Sequence, residues 1–160
     1  MLKLMYQGNR CTCGVCAYSI LLSGLGIRIS ERVACDEVNC TKNGTNTLNV
    51  LRALNRRKIE AHLIDLDISF QSYQRWLYLN SINRLLYVSM FGQNRGKKGK
   101  PTKENHAVCI SMGMVYDSSI KEVLPIEAYE TKYNFRFVIK EMILVDIPDK
   151  YRKKNVDNYE

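Results

Sequence analysis

The first third of the chain carries apolar residues at helical spacing. The segment from Cys13 to about Leu25 is apolar along most of its length and ends in two glycines, which predicts a largely buried helix. A second helix is predicted from Ser30, a favourable N-cap, to about Val38. A third helix is predicted to open at Thr45 or Thr47 and to continue to Leu54.

Apolar stretches of strand length dominate the rest of the chain. The predicted strands are Ile59 to Leu66, Leu85 to Phe91, Ala107 to Met112, Met114 to Tyr116, and Phe135 to Val145, which holds one strand or two. A helix from Ser69 to Asn80 follows the first strand, and Gly113 supplies the turn of a hairpin. This order predicts an α+β fold in which N-terminal helices pack on a C-terminal antiparallel sheet.

Length and composition indicate a single ordinary globular domain. The 160 residues, 46% hydrophobic and 25% charged, suffice for a core without cross-links. We expect this domain to span residues 1–149 and to be followed by a charged, mobile tail, residues 150–160. The chain has no apolar run of the roughly 18 to 20 residues that span a bilayer and no apolar secretion signal. We therefore expect a cytoplasmic protein with no membrane partner, whose six cysteines stay reduced.

The basic charge is concentrated in one segment. The chain has a formal charge of +8, and the stretch from Gly92 to Glu104 carries +4 of it, from five basic residues and one glutamate. Its glycines and charges predict a long loop from Gly92 to Pro101. One charged loop argues against a nucleic-acid partner, which would need a basic face. Lys97, Lys98 and Lys100 are instead candidates for binding an acidic part of a substrate.

A candidate nucleophile lies where the first predicted helix begins. Cys13 opens this helix and follows Gln7 by six residues. A thiol at a helix N-terminus faces unpaired N–H groups and the positive end of the helix dipole, which favour the reactive thiolate. The Gln7 amide, together with the Cys13 backbone N–H, could stabilise the oxyanion that forms when the thiolate attacks a carbonyl.

A histidine and a carboxylate are placed to complete this site. Asn105 and His106 begin an apolar strand, and the hairpin at Gly113 returns the chain to Asp117. A carboxylate near the end of the returning strand can accept a hydrogen bond from the histidine on the outgoing one. We therefore predict that His106 is the catalytic base and that Asp117 orients it.

These residues resemble the double-glycine leader peptidases, which process bacteriocin leader peptides, and their stand-alone relatives. The resemblance is carried by Gln7, the pair Cys13 and Gly14, His106 and Asp117, and more weakly by a segment that starts at Gly44. It covers about residues 6–118 and implies a papain-like cysteine peptidase fold in stand-alone form. Gly14 and Asn105, next to the catalytic residues, are then candidates for substrate binding.

The expected reaction is attack by the Cys13 thiolate on a peptide or isopeptide amide, with an acyl-enzyme intermediate that water releases. No metal or cofactor is needed for it. Deamidation and acyl transfer to an amine remain open alternatives, because both use the same residues. The expected partner is a peptide or protein substrate, with an acidic segment favoured by the basic loop.

Two alternatives assign the cysteines other roles. Cys11, Cys13 and Cys16 form a Cys-x-Cys-x-x-Cys run that could bind zinc with Cys35, Cys40 or His106 as the fourth ligand. Such sites usually draw their ligands from turns, whereas Cys16 falls inside an apolar helical segment. The second alternative is a non-enzymatic protein that binds an acidic partner through the basic loop, with structural or zinc-bound cysteines.

Overall fold

The computed structural model describes residues 2–4, 13–42, 44–94, 103–133 and 135–150. The helices within this part of the chain are α1 Cys13–Gly24, α2 Glu31–Glu37, α3 Thr47–Arg56, α4 Phe70–Ser81 and α5 Ile126–Tyr133. The strands are β1 His62–Ser69, β2 Arg84–Asn94, β3 Lys103–Ser111, β4 Met114–Asp117, β5 Glu122–Pro125 and β6 Phe135–Asp146. None of these helices is both long and apolar enough to cross a membrane.

The six strands form one sheet in the order β1-β6-β2-β3-β4-β5, and every neighbouring pair is antiparallel. Its centre is the long pair β2 and β6, which runs from Arg84 opposite Asp146 to Asn94 opposite Phe135. The predicted antiparallel sheet is therefore confirmed. The stretch from Phe135 onward is a single strand, and the first strand starts at His62 instead of Ile59 and ends at Ser69 instead of Leu66.

Helices cover both faces of this sheet. One core joins α1, α2 and α3 to one face through residues such as Leu21, Leu54 and Ile143. A second core joins α4 and α5 to the opposite face through residues such as Phe70 and Tyr129. The prediction of N-terminal helices on a sheet is thus correct for the first layer. The sequence patterns did not predict β5 and α5, which complete the second layer.

The N-terminal helices form where local side chains favour them. α1 is apolar on all sides and buried from Gly14 to Leu22, as its sequence predicts. Ser30 caps α2 by accepting a hydrogen bond from the Val33 N–H at 3.2 Å. Of the two predicted starts of α3, Thr47 is correct, and Asn46 is the cap, which accepts from the Asn49 N–H at 2.8 Å.

The prediction of a loop from Gly92 onward is wrong at its start. β2 continues through Gly92 to Asn94, where it pairs with β6. A Cβ atom at Gly92 would lie 2.5 Å from Phe137 Cε1 and 2.9 Å from Phe135 Cδ1. The glycine therefore lets two aromatic rings of β6 pack against the β2 backbone, and it does not end the strand. Residues 95–102 and the tail, residues 151–160, lie outside the described residues.

The hairpin between β3 and β4 turns at Met112 and Gly113, as predicted. Both residues have positive φ angles, 53° and 74°, which is the backbone of a tight two-residue hairpin turn. The turn places Cys109 opposite Tyr116, so that Asp117 ends β4 beside the part of β3 that precedes Cys109. This register positions the site described next.

Candidate active site

Cys13 is the first residue of α1 and is partly buried at its N-terminus. Its side chain packs against the core that α1 shares with the sheet. The next residue must be small, because a Cβ atom at Gly14 would lie 2.7 Å from Thr45 Cγ2 and 3.0 Å from the Tyr87 hydroxyl oxygen. The pair Cys13 and Gly14 thus brings a thiol close to the sheet at the start of a helix.

The structure brings His106 and Asp117 together. Asp117 Oδ2 lies 2.8 Å from His106 Nε2, and the two side chains are 0% and 2% exposed respectively. β4 pairs with β3 only from Cys109 to Ser111, so Asp117 can turn towards the part of β3 that pairs with β2 alone. Because Nε2 faces the carboxylate, Nδ1 is the ring nitrogen left for Cys13 or a substrate.

Asp117 has further hydrogen bonds that the sequence analysis did not include. Oδ1 accepts from the backbone N–H of Ser119 at 2.8 Å and from its hydroxyl at 2.6 Å. Oδ2 accepts from the Tyr129 hydroxyl, which reaches it from α5. Although burial alone would raise the pKa of Asp117, the bonds from His106, Ser119 and Tyr129 hold it below the usual range.

A local signal for Ser119 exists in the sequence, whereas Tyr129 has none. An aspartate that accepts from the backbone two residues later is a common turn pattern, and Ser119 fits it. Tyr129 comes from α5, a helix that was not predicted, and it reaches Asp117 only through the packing of the second core. The orientation of the carboxylate is therefore decided partly by tertiary structure.

The pKa of His106 is raised by its two hydrogen-bond partners. Burial by itself lowers the pKa of the imidazole, but hydrogen bonds to Asp117 and Cys13, together with their negative charges, raise it to about 10. Cys13 is thus a hydrogen-bond partner of His106. At neutral pH this environment favours the imidazolium form of His106 beside the Asp117 carboxylate.

The site joins the two cores of the molecule. Cys13 packs on the α1 side, whereas the His106 ring lies against Tyr133 and Phe137 of the second core, with centroid separations of 5.4 and 6.1 Å. This contact is available because the His106 part of β3 extends past the end of β4. Thiol and imidazole consequently meet at the edge of the sheet.

A small cleft of about 180 Å³ opens beside these residues. It is lined by Cys13, Gly14, Gly44, Thr45, Thr47, Tyr87, Ser89, Asn105, His106 and Ala107. The predicted Gly14 and Asn105 are among them, and Asn105 is exposed at the rim. Sequence reasoning missed Tyr87 and Ser89, since nothing in the pattern of β2 distinguishes cleft residues from core residues.

Other residues named from the sequence lie outside the described part of the chain. They are Gln7, Cys11, Lys97, Lys98 and Lys100. Among the residues that the structure does describe, no group of three or more His, Cys, Asp or Glu side chains is arranged to hold a metal ion. The described cysteines, Cys13 and Cys35 among them, form no disulfide with one another.

Fold and site together define a cysteine peptidase with a papain-like arrangement of N-terminal helices and antiparallel sheet. A family model described as the Peptidase C39 family matches residues 1–83, about half of the sequence. The chain belongs to the Peptidase C39 family. The matched part includes Cys13 but ends before His106 and Asp117, so their positions are known from the geometry alone. A comparison with curated proteins found no match.

Solved structures of low sequence identity share the fold. One is the peptidase domain of Streptococcus ComA, a bi-functional ABC transporter involved in a quorum-sensing pathway, with 17% identity and a TM-score of 0.60. The similarity covers 91% of this chain and 99% of that one. Another is a double-glycine-motif protease from an AMS/PCAT transporter in complex with the leader peptide, with 14% identity and a TM-score of 0.58. This second similarity covers 91% of this chain and 92% of the double-glycine-motif protease. The papain-like fold expected from the sequence is thereby confirmed.

Proposed function

We propose that Cys13, His106 and Asp117 are the catalytic residues of this peptidase and that Gln7 completes its oxyanion hole. The observation that carries the proposal is the buried contact of 2.8 Å between His106 Nε2 and Asp117, with Cys13 as the other partner of the imidazole. Because Cys13 is the first residue of α1, its thiol also lies at the positive end of the helix dipole. The proposed nucleophile Cys13 thus contacts the base His106, which in turn contacts the orienting carboxylate of Asp117.

The proposed reaction begins with the imidazolium form of His106 and the thiolate of Cys13. The sulfur forms a bond to the carbonyl carbon of the substrate, and the resulting oxyanion accepts hydrogen bonds from the Cys13 N–H and Gln7. His106 then gives its proton to the amide nitrogen, the C–N bond breaks, and the amine product leaves. Water attacks the acyl enzyme while His106 takes up one of its protons, the C–S bond breaks, and the carboxylic acid leaves, which regenerates the thiolate of Cys13 and the imidazolium of His106.

The shape of the cleft supports a peptide substrate with small residues beside the scissile bond. Its volume of about 180 Å³ is well below the roughly 300–1,000 Å³ of typical ligand pockets. Glycines and alanine form part of its wall, namely Gly14, Gly44 and Ala107. We infer that a leader-type peptide with a double-glycine motif is a suitable substrate, because the AMS/PCAT relative is a double-glycine-motif protease that holds a leader peptide. The lysines at positions 97, 98 and 100 precede β3 and would favour an acidic segment of such a peptide.

Labelling and substitution of the thiols test this proposal. We expect brief treatment with iodoacetamide at neutral pH to modify Cys13 first, because Cys16 and Cys109 are buried and burial raises the pKa of Cys109. Cys13→Ala should lower kcat for a peptide with a central Gly-Gly pair by at least about a thousandfold. Peptide mapping by mass spectrometry and steady-state kinetics provide the two measurements.

Cys35→Ala is the matched control, since Cys35 is a partly buried thiol with its sulfur 3.9 Å from the Cys40 carbonyl oxygen, outside the cleft. It should leave kcat within about twofold of the parent value. Faster labelling of Cys35 or Cys40 than of Cys13 would contradict the proposal. So would hydrolysis of the Gly-Gly peptide by Cys13→Ala at the parental rate.

A further inference from the structure

Tyr87 places a buried hydroxyl group in the cleft. The side chain, on β2, is only 2% exposed and lines the cleft together with Cys13. Within the described part of the chain, its hydroxyl has no hydrogen-bond partner. Buried tyrosines normally find a partner, and an unpaired buried polar group costs about 1–3 kcal/mol. A hydroxyl kept unpaired beside the nucleophile therefore needs an explanation.

The position of this hydroxyl is set by α1. It lies 3.0 Å from the point that a Cβ atom of Gly14 would occupy, which puts it against the first turn of α1. Burial raises the pKa of Tyr87, and the nearby charges of Cys13 and Glu141 raise it further. The phenol therefore stays protonated when Cys13 is a thiolate, and its O–H can donate to an acceptor that enters the cleft.

Peptide main chain is the acceptor that fits this space. The cleft is too small for large side chains, and Gly14, Gly44 and Ala107 leave room for backbone atoms. In the proposed reaction the scissile carbonyl accepts from the Cys13 N–H and Gln7, which leaves Tyr87 for another carbonyl oxygen of the bound peptide. We propose that the Tyr87 hydroxyl donates a hydrogen bond to a non-scissile backbone carbonyl of the substrate peptide and thereby contributes to substrate binding.

This role rests on the proposed function, because it requires a peptide bound for attack by Cys13. A donor to a non-scissile carbonyl acts equally in the ground state and the transition state, so it lowers KM and leaves kcat unchanged. A residue that only positions Cys13 would change kcat and the rate of alkylation instead. These two readouts separate substrate binding by Tyr87 from a structural effect.

The test is Tyr87→Phe, assayed with a synthetic peptide that has a central Gly-Gly pair. We expect KM to rise about threefold to tenfold, the value of one neutral hydrogen bond, with kcat within about twofold. Iodoacetamide should alkylate Cys13 at the parental rate. In a Cys13→Ala background, Tyr87→Phe should raise the Kd of the same peptide by the same factor. Tyr18→Phe is the matched control, since Tyr18 is buried but donates to Glu37 Oε2 at 3.1 Å, away from the cleft.

Each result decides the inference. Parental KM in Tyr87→Phe, or a lower kcat with unchanged KM, would overturn it while activity of the parent protein keeps the proposed function intact. Failure of the parent protein to cleave the Gly-Gly peptide, or cleavage by Cys13→Ala, would instead overturn the proposed function. Phenylalanine removes only a hydroxyl that has no partner among the described residues, so the variant should fold. Loss of folding, measured by circular dichroism, would show that the hydroxyl has a structural partner and would also overturn the inference.

Discussion

Asp117 is fully buried, yet its environment keeps it ionised. Its oxygens accept hydrogen bonds from His106, from both donors of Ser119 and from Tyr129. These four bonds replace the water that the carboxylate loses, and the imidazolium supplies a compensating charge. Such a pair stabilises the folded state only while both partners carry their charges. The stability of the protein should therefore depend on pH over the range in which His106 titrates.

The sign of this dependence follows from the pKa of His106. That pKa is about 10 in the folded protein and has an ordinary value of 6.5, so the folded state binds more protons between these values. The contribution of the pair is fully present below pH 6.5 and is lost as pH rises through about 10. We expect the free energy of unfolding of the parent, relative to that of Asp117→Asn, to decrease across this window.

Urea unfolding at fixed ionic strength measures this difference. Asp146→Asn is the matched control, because Asp146 is exposed and accepts from Arg84 Nε at 2.8 Å on the surface. The difference in the free energy of unfolding between Asp146→Asn and the parent should stay nearly constant over the same pH range. Parallel curves for the parent and Asp117→Asn between pH 6.5 and 10 would show that His106 and Asp117 do not form an ion pair.

The length of β2 depends on how its glycine, Gly92, packs against the neighbouring strand β6. Gly92 would normally weaken a strand, and its sequence context is typical of a loop. The strand continues because the missing side chain makes room for Phe137 and Phe135 of β6. These rings also belong to the aromatic cluster around His106, since the Phe137 ring lies 6.1 Å from the His106 ring and 5.6 Å from that of Phe135. The end of β2 therefore contacts the aromatic rings that pack against His106.

Gly92→Ala should destabilise the protein by about 1–3 kcal/mol, because the new methyl group would overlap Phe137. This exceeds the roughly 0.5–1 kcal/mol that alanine gains over glycine in a strand. Urea unfolding measures the change. Arg136→Ala is the control, an exposed position one residue away from Phe137 on β6, and it should stay within about 0.5 kcal/mol of the parent. Equal stability of Gly92→Ala and the parent would mean that the rings can move without cost.

At the scale of the whole molecule, the sheet lies between two layers of helices, and the site forms where both layers meet its edge. α1 supplies Cys13 from one layer, and α5 supplies Tyr129 from the other. β3 and β4 bring His106 and Asp117 between them. The segment that links β2 to β3 carries half of the net charge and precedes Asn105 at the cleft rim. The basic segment therefore directly precedes the strand that carries His106.

Replacing Lys97, Lys98 and Lys100 with serine should lower kcat/KM for an acidic Gly-Gly peptide by about tenfold at low ionic strength. The reduction should shrink as salt rises, because screening shortens the range of the attraction. Steady-state kinetics at low and high salt measure both effects, and alkylation of Cys13 by iodoacetamide should not change.

The matched control replaces Lys58, Lys121 and Lys140 with serine, which removes the same charge from positions outside the cleft. This variant should keep the parental kcat/KM within about twofold, since its lysines do not line the cleft. If both triple variants lose activity equally, net charge is responsible. If the first one cleaves the acidic peptide as well as the parent at low salt, the basic segment plays no part in substrate choice.

Local chemistry in the sequence determined most of the elements and the choice of candidate residues. Helix caps act over three residues, so Ser30 marked the start of α2 and Ser69 that of α4. Gly113 specified a hairpin turn, and that turn placed Asp117 beside His106. The spacing of Gln7 and Cys13 at a helix start indicated a nucleophile. Each of these signals depends on residues that are close in sequence.

Only the tertiary structure decided which side chains surround those candidates. Phe137 explains why β2 continues past Gly92, although it lies 45 residues further along the chain. Tyr129 reaches Asp117, and Tyr87 reaches the cleft, because helices pack on both faces of the sheet. Such contacts depend on the volume and position of residues that are distant in sequence, so the local pattern of apolar residues does not predict them. The same packing buries His106 and Asp117 and so sets the charge state on which the proposed chemistry depends.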